Sequence, residues 1–429
     1  MNKKRNVLIF PAGSEIGLEI YNSLKYSHHL DVYGASGKKD HASFIYPDEK
    51  YIEDKCFYIG RDDFIERLNE HLKSRHIEFI YPTHDSVALF LAENSEALAA
   101  KVIGSCAETN RVARSKCLTY RQFSSHGFCP IVYDRPDMVF SYPVFLKPDE
   151  GQGGKGAFRV DSRAELDFYL DRFPDLLITE YLPGDELSVD CFTDFRGDLL
   201  FIGPRTRERV QMGISFRTSK VDLSDEIKDI AYAINNSLRL NGAWFFQVKK
   251  DFSDRYKLLE FAPRQASTMG LYRHTGVNFA LLSFFNACGM PINILCNDYY
   301  VELDRCLHNR FRADIVYDKV YIDLDETIID GRYVHDRVMA FIYQCRNQKK
   351  QIILITKHRY DLSETLRRSC ISKSLFSKII HLEDAENKWE YIDPVGSIFI
   401  DNYWHDRQLV HDALGIPVFD VDAVECLLR

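Results

Sequence analysis

The stretch from Tyr142 to Phe158, YPVFLKPDEGQGGKGAF, constrains this chain of 429 residues more than any other. The apolar run Val144-Phe145-Leu146 reads as a buried strand. Lys147 stands at its end, and glycines follow at 151, 153, 154 and 156. Glycines let backbone N–H groups turn inward around a polyphosphate. Lys147 and Lys155 can neutralise phosphate charge. Taken alone, the loop reads equally well as a flexible surface hairpin. It is not a Walker loop, because no Lys-Ser or Lys-Thr follows the last glycine. The sequence downstream raises the phosphate reading.

The length allows two or three domains, each with its own core. A net charge of −8 does not favour a nucleic-acid partner. No apolar run reaches the roughly 18 to 20 residues of a membrane span, so no membrane partner is expected. The opening MNKKRNVLIFPAG reads as a first strand and turn rather than a signal peptide. The eleven cysteines are scattered without a CxxC pair. That pattern fits a reducing cytoplasm and argues against structural zinc or a disulfide framework.

Residues 1–113 read as a Rossmann-like α/β domain. Asn6 to Phe10 is a continuous apolar strand, Pro11 to Ser14 a turn, and Ile16, Ile20 and Leu24 recur at helical spacing. Gly13 and Gly17 make half of a dinucleotide fingerprint and read as structural. Thr83, His84 and Asp85 follow the strand Phe79 to Pro82, where they can touch a substrate or serve as turn and cap.

Residues 114–312 read as a second, α+β domain. Lys116 precedes a helical segment from Leu118 to His126. Ile178 to Leu182 reads as a strand, with Glu186 and Asp190 beyond it. Ala243–Lys249 and Lys257–Phe261 read as paired strands delivering Gln247 and Glu260, with Arg264 just beyond. Two oxygen ligands on adjacent strands suit Mg²⁺. In this order the pieces resemble the ATP-grasp superfamily, particularly the branch like the large chain of carbamoyl-phosphate synthase. The resemblance covers roughly residues 1–310 and makes 1–113 the domain that precedes ATP-grasp. It implies that Lys116 and Lys147 contact ATP phosphates and that the loop with Gly153 and Gly154 folds over them. It further implies that Glu180, Tyr181 and Leu182 hold adenine and Glu186 the ribose. Gln247 and Glu260 become metal ligands, and Arg264 stabilises an acyl-phosphate or a substrate carboxylate. The family commonly reads Glu-x-Asn-x-Arg where this chain has Glu260-Phe261-Ala262-Pro263-Arg264, so one ligand is missing. Arg205, Arg207, Arg209 and Arg217 lie in one segment that reads either as a solvated basic loop or as a recognition surface for an anionic substrate. Arg273 and His274 are further substrate candidates.

Residues 317–429 read as a third domain. A strand from Val316 leads into Asp323-Leu324-Asp325-Glu326-Thr327. Two carboxylates two residues apart can hold Mg²⁺ while one attacks phosphorus; alone, the pair also fits a calcium loop or a cap. Thr356 ends a later strand, Lys388 opens a helix-like segment, and Asp401 ends another strand with Asp406 soon after. This set resembles the haloacid dehalogenase (HAD) superfamily of phosphatases. The resemblance implies a Rossmann-like fold with Asp323 as nucleophile and Asp325 as general acid and base. It gives Thr356 to the phosphoryl group, Lys388 to the aspartyl-phosphate, and Mg²⁺ to Asp323, the Asp325 carbonyl and Asp401. The short connections leave no room for an inserted cap. The capless site is expected to be covered by the ATP-grasp half or by a second copy of the chain.

The expected function is a bifunctional cytoplasmic enzyme with ATP and Mg²⁺ as cofactors. One half would ligate a small carboxylate to an amine through an acyl-phosphate, and the other would hydrolyse a phosphorylated metabolite. Alternatives are a phosphatase regulated by a nucleotide-binding ATP-grasp half, an ATP-grasp kinase, and a non-catalytic scaffold.

Overall fold

The computed structural model describes residues 4–428 apart from 152, 212, 307 and 332. Packing divides the chain into two compact units that part between 307 and 308. The first unit holds both segments that the sequence reading separated at 113 and 114.

Its N-terminal sheet comprises β1 (Arg5–Phe10), β2 (Leu30–Ser36), β3 (Tyr51–Glu53), β4 (Ile77–Pro82) and β5 (Lys101–Val102), all parallel, in the order β3-β2-β1-β4-β5. The central strand explains its own sequence. Val7 and Ile9 pack on one side with Ile20 and Leu24, while Leu8 and Phe10 pack on the other with Phe64 and Leu68. A strand covered on both faces must be apolar throughout, not alternating. Gly17 serves packing, because a Cβ there would lie 2.6 Å from the Ala12 carbonyl oxygen.

Next come β6 (Val132–Tyr133), β7 (Val144–Pro148), β8 (Phe158–Val160) and β9 (Leu176–Glu180), an antiparallel sheet in the order β6-β9-β7-β8. A larger antiparallel sheet joins β10 (Glu186–Thr193), β11 (Leu199–Thr206), β14 (Gly242–Lys250) and β15 (Tyr256–Ala262), in the order β11-β10-β14-β15. The helix Asp225–Ser237 covers one face, with Ile227, Ile230 and Ile234 against Val189, Trp244 and Phe246. Strands β14 and β15 each extend one residue beyond both expected ends, and Gln247 stands opposite Glu260. A small sheet of β12 (Arg209–Gln211), β13 (Ile214–Ser219) and β16 (Glu302–Asp304) completes the unit.

The second unit is built on β17 (Lys319–Ile322), which starts later than expected because Val316 is exposed. A short hairpin, β18 (Ile329–Asp330) with β19 (Tyr333–Val334), follows. Then come β20 (Gln351–Thr356), β21 (Lys378–His381), β22 (Ser397–Ile400) and β23 (Val418–Phe419). The five-stranded sheet is parallel, in the order β21-β20-β17-β22-β23, with cores on both faces. Ile322 stands opposite both Leu354 and Ile400, so the C-terminal ends of the three central strands lie side by side. Between β17 and β20 the described chain holds only the hairpin and the helix Asp336–Asn347. Among the described residues, no helix is long and apolar enough to cross a membrane.

Candidate active sites

The first unit encloses a cavity of about 330 Å³. Lys116, Gly153, Gln247, Glu260, Arg264 and Ala262 all lie on its wall. The pairing of β14 with β15 sets Gln247 opposite Glu260, and the wall gathers residues more than a hundred positions apart in sequence. The Asp149 carboxylate accepts from Ser115 Oγ and the Cys117 N–H, and Lys116 Nζ donates to the Asp149 carbonyl at 3.1 Å. The loop after β7 is thereby tied to the helix Lys116–Gln122. Gly153 meets a second glycine turn: a Cβ on Gly213 would lie 2.3 Å from Gly153 Cα.

Lys147 does not line the cavity surface; it is buried, and its Nζ donates to the Tyr120 hydroxyl at 2.6 Å. Tyr120 in turn donates to the Leu259 carbonyl, next to Glu260. Burial, with help from the Lys116 charge and against the pull of Glu260, pushes the Lys147 ammonium down to about 8. Nothing in the sequence around Tyr120 marked it for this role.

The expected adenine and ribose positions are already engaged. Glu180 Oε1 accepts the Ile131 N–H at 2.8 Å, the Arg159 guanidinium sits 4.8 Å from the Tyr181 ring centre, and Leu182 is buried. Glu186 pairs with Arg207 at 2.6 Å. Gly154 and Glu186 are not among the cavity-lining residues.

The arginine segment departs most from expectation. Arg205 and Asp190 form a fully buried bidentate pair at 2.7 and 3.0 Å. Arg207 has Glu186, Arg209 has Asp304, and Arg217 has Glu302 and Glu208. Arg205 and Arg207 reach the cavity wall, but Arg217 is not among the lining residues. Strand pairing supplies each cation with a carboxylate, while Arg209 and Arg217 stay about half exposed. Arg273 pairs with Glu19 at 2.8 Å and is likewise not among the lining residues. Arg264 holds Asp85 through two bonds of 2.7 Å. Burial alone would raise the Asp85 carboxyl, but the Arg264 charge prevails and keeps it below the usual range. Asp85 and His84 do line the cavity, as do Glu15, Ser267 and Thr268, which no local motif revealed.

Gln247 and Glu260 provide two oxygen-bearing side chains on one wall, and Ala262 adds none. No group of three His, Cys, Asp or Glu side chains able to hold a metal occurs among the described residues. Two such side chains still suit Mg²⁺, which keeps waters and shares phosphate oxygens.

The second unit gathers its acids at adjoining strand ends. Lys388, on the single turn Lys388–Tyr391, donates to Asp323 at 2.8 Å and to Asp401 at 2.6 Å, and its Nζ lies 3.2 Å from Asp406. Three buried carboxyl groups thus share one ammonium. Burial and the neighbouring Asp323 push Asp401 up to about 7; burial also raises Asp323, against the attraction of Lys388. Burial by itself would lower the Lys388 ammonium, but its acidic neighbours hold it above the ordinary value. Asp323 and Asp401 offer carboxyl oxygens of the kind a divalent cation takes, short of a three-side-chain site among the described residues. The Thr356 hydroxyl, at the end of β20, is buried without a hydrogen-bond partner. Asp325 is half-exposed and faces His358, which the sequence reading missed.

Residues 172–299 match the family model described as ATP-grasp in the biosynthetic pathway with Ter operon. Over 204 residues the chain is 28% identical to the arginine-specific carbamoyl phosphate synthase large chain of Bacillus subtilis. That stretch is 42% of this chain and 20% of the relative, so the match spans about a fifth of the curated relative's length. The biotin carboxylase domain of Hydrogenobacter thermophilus 2-oxoglutarate carboxylase, solved with MgADP, ADP and bicarbonate, superposes with a TM-score of 0.58 at 15% identity, covering 70% of this chain and 73% of that one. An L-amino acid ligase from Bacillus licheniformis superposes with a TM-score of 0.55 at 18% identity, covering 68% and 76%. The first unit therefore has the ATP-grasp fold, and residues 172–299 carry the sequence pattern of that family.

Proposed function

We propose that the chain is a bifunctional enzyme. Its first unit is an ATP-dependent ligase that phosphorylates a small carboxylate and passes the acyl group to an amine. The observation that carries this reading is the convergence of Lys116, the glycine loop, Gln247 and Glu260 on one cavity, with Lys147 buried behind it. ATP phosphates would lie against Lys116 and Lys147. Magnesium, when bound by Gln247 and Glu260, supplies charge neutralisation at the transferring phosphoryl group. Glu186 remains the candidate for the ribose, and Arg264 with Asp85 sets a charged wall for the acceptor. Incubation with ATP and pooled carboxylates and amines should release ADP. Release no greater than that of Lys147→Ala would refute the ligase.

The second unit, in the same proposal, is a Mg²⁺-dependent HAD-type phosphatase. It is supported by Lys388 held among Asp323, Asp401 and Asp406, and by the unpartnered Thr356 hydroxyl. Asp323 attacks phosphorus, Asp325 gives a proton to the departing alcohol and then accepts one from the attacking water, and Lys388 offsets charge on the aspartyl-phosphate. Asp323, the Asp325 carbonyl and Asp401 would hold Mg²⁺, which when bound would supply Lewis-acid assistance to phosphoryl transfer. Asp323→Asn should abolish hydrolysis of a phosphomonoester; retained activity would refute the assignment.

Ala262 favours a second reading, in which the first unit binds nucleotide without turning it over and adjusts the phosphatase. Nucleotide-dependent change in phosphatase rate, without ADP release, would establish it. The proposal also places the chain in the cytoplasm, in keeping with eleven unpaired cysteines, and allows a homo-oligomer to cover the phosphatase site.

A further inference from the structure

His358 follows Thr356 by two residues and is buried, although the carboxylate it faces is half-exposed. Its Nδ1 lies 2.9 Å from both oxygens of Asp325. Its Nε2 lies 2.7 Å from Thr365 Oγ1, on the helix Leu362–Arg368. Its own carbonyl accepts from His381 Nε2 at 2.7 Å, and the Tyr360 ring packs edge-on at 5.7 Å. The ring is therefore held at Nε2 by Thr365 and flanked by Tyr360, and its backbone is tied to His381. A carboxyl oxygen facing Nδ1 accepts, so Nδ1 carries a hydrogen toward Asp325; the proton that Asp325 delivers as an acid then sits on the oxygen that does not take this bond.

We infer that His358 is the positioning residue for Asp325, its Nδ1 holding the carboxyl group at 2.9 Å so that the oxygen carrying the acid's proton is set toward the leaving group of a phosphomonoester. The inference rests on the phosphatase reading above. A free Asp side chain at a wet surface rotates among several rotamers. Proton delivery needs the carboxyl oxygen within about 2.6–3.2 Å of the leaving oxygen. As the P–O bond to the alcohol breaks and the bond from Asp323 to phosphorus forms, the Asp325 proton passes to the departing oxygen. A leaving group that is already a stable anion needs no such proton.

The test compares kcat/KM, which reports phosphoryl transfer to Asp323, for an alkyl phosphate and for p-nitrophenyl phosphate, using the full chain. His358→Ala should lower the alkyl phosphate value by about 10- to 100-fold and the p-nitrophenyl value by less than about threefold. His358→Asn, whose amide nitrogen can stand where Nδ1 does, should recover the alkyl phosphate value to within about threefold, whereas His358→Gln should not. Equal losses on both esters, or no loss on either, would overturn the inference and leave the phosphatase standing. No hydrolysis of either ester by the unaltered chain would overturn the phosphatase reading and this inference with it.

Discussion

Lys147 offers the sharpest test of the ATP-grasp site, because its burial makes nucleotide binding dependent on pH. In the free protein the ammonium titrates at about 8 rather than at the ordinary 10.5. Phosphates placed beside it favour the charged form and return its pKa toward the ordinary value. Binding therefore takes up a proton wherever pH exceeds about 8. At pH 9 roughly one molecule in eleven is protonated before binding, so affinity for MgADP should be about tenfold weaker than at pH 7, or ~1.4 kcal/mol. Nucleotide phosphates are already fully ionised in this range. Calorimetry at pH 8 in two buffers of different ionisation enthalpy should show uptake of about half a proton per nucleotide. Lys147→Met should bind more weakly and lose the pH dependence. Stability moves the other way: the unfolded chain binds this proton more tightly, so folding should gain stability as pH rises from about 8 toward 10.5, by at most about 3 kcal/mol. A dissociation constant unchanged within about twofold from pH 7 to 9, with no buffer-dependent heat, would refute the reasoning.

Other outcomes are as definite. Asp190→Ala leaves the buried Arg205 guanidinium without its partner and should destabilise the chain by about 3–5 kcal/mol; a urea-melt change below about 1 kcal/mol would contradict the buried pair. Gly213→Ala meets both a φ of +73° and the Gly153 backbone, so it should cost about 1–2 kcal/mol and weaken MgADP binding in a fluorescence titration. Chelation should remove phosphatase activity and added Mg²⁺ restore it, since Lys388 alone cannot balance Asp323, Asp401 and Asp406; activity indifferent to chelation would exclude the cation.

Much of the fold was legible because its signals are local. The run Val7 to Phe10 announces a strand covered on both faces, and the acids at 323, 325 and 401 each sit where an apolar run stops. Gln247 and Glu260 were found because a short turn fixes their pairing. What escaped depends on contacts distant in sequence. Tyr120 reaches Lys147 across 27 residues, and His358 reaches Asp325 across 33. The arginines looked available because their carboxylates arrive by strand pairing: Asp190 and Glu186 from β10, Glu302 and Asp304 from β16. Composition exposes charge but not its partner.

The level strand ends of the second unit carry one last implication. Asp323 and Asp401 leave neighbouring strands directly after the paired residues Ile322 and Ile400, so their separation is inherited from the ~4.8 Å ladder between strands. Loops did not set that spacing and cannot easily detune it. Insertions after Thr327 or around Tyr360 would therefore leave the gap between these two carboxylates unchanged.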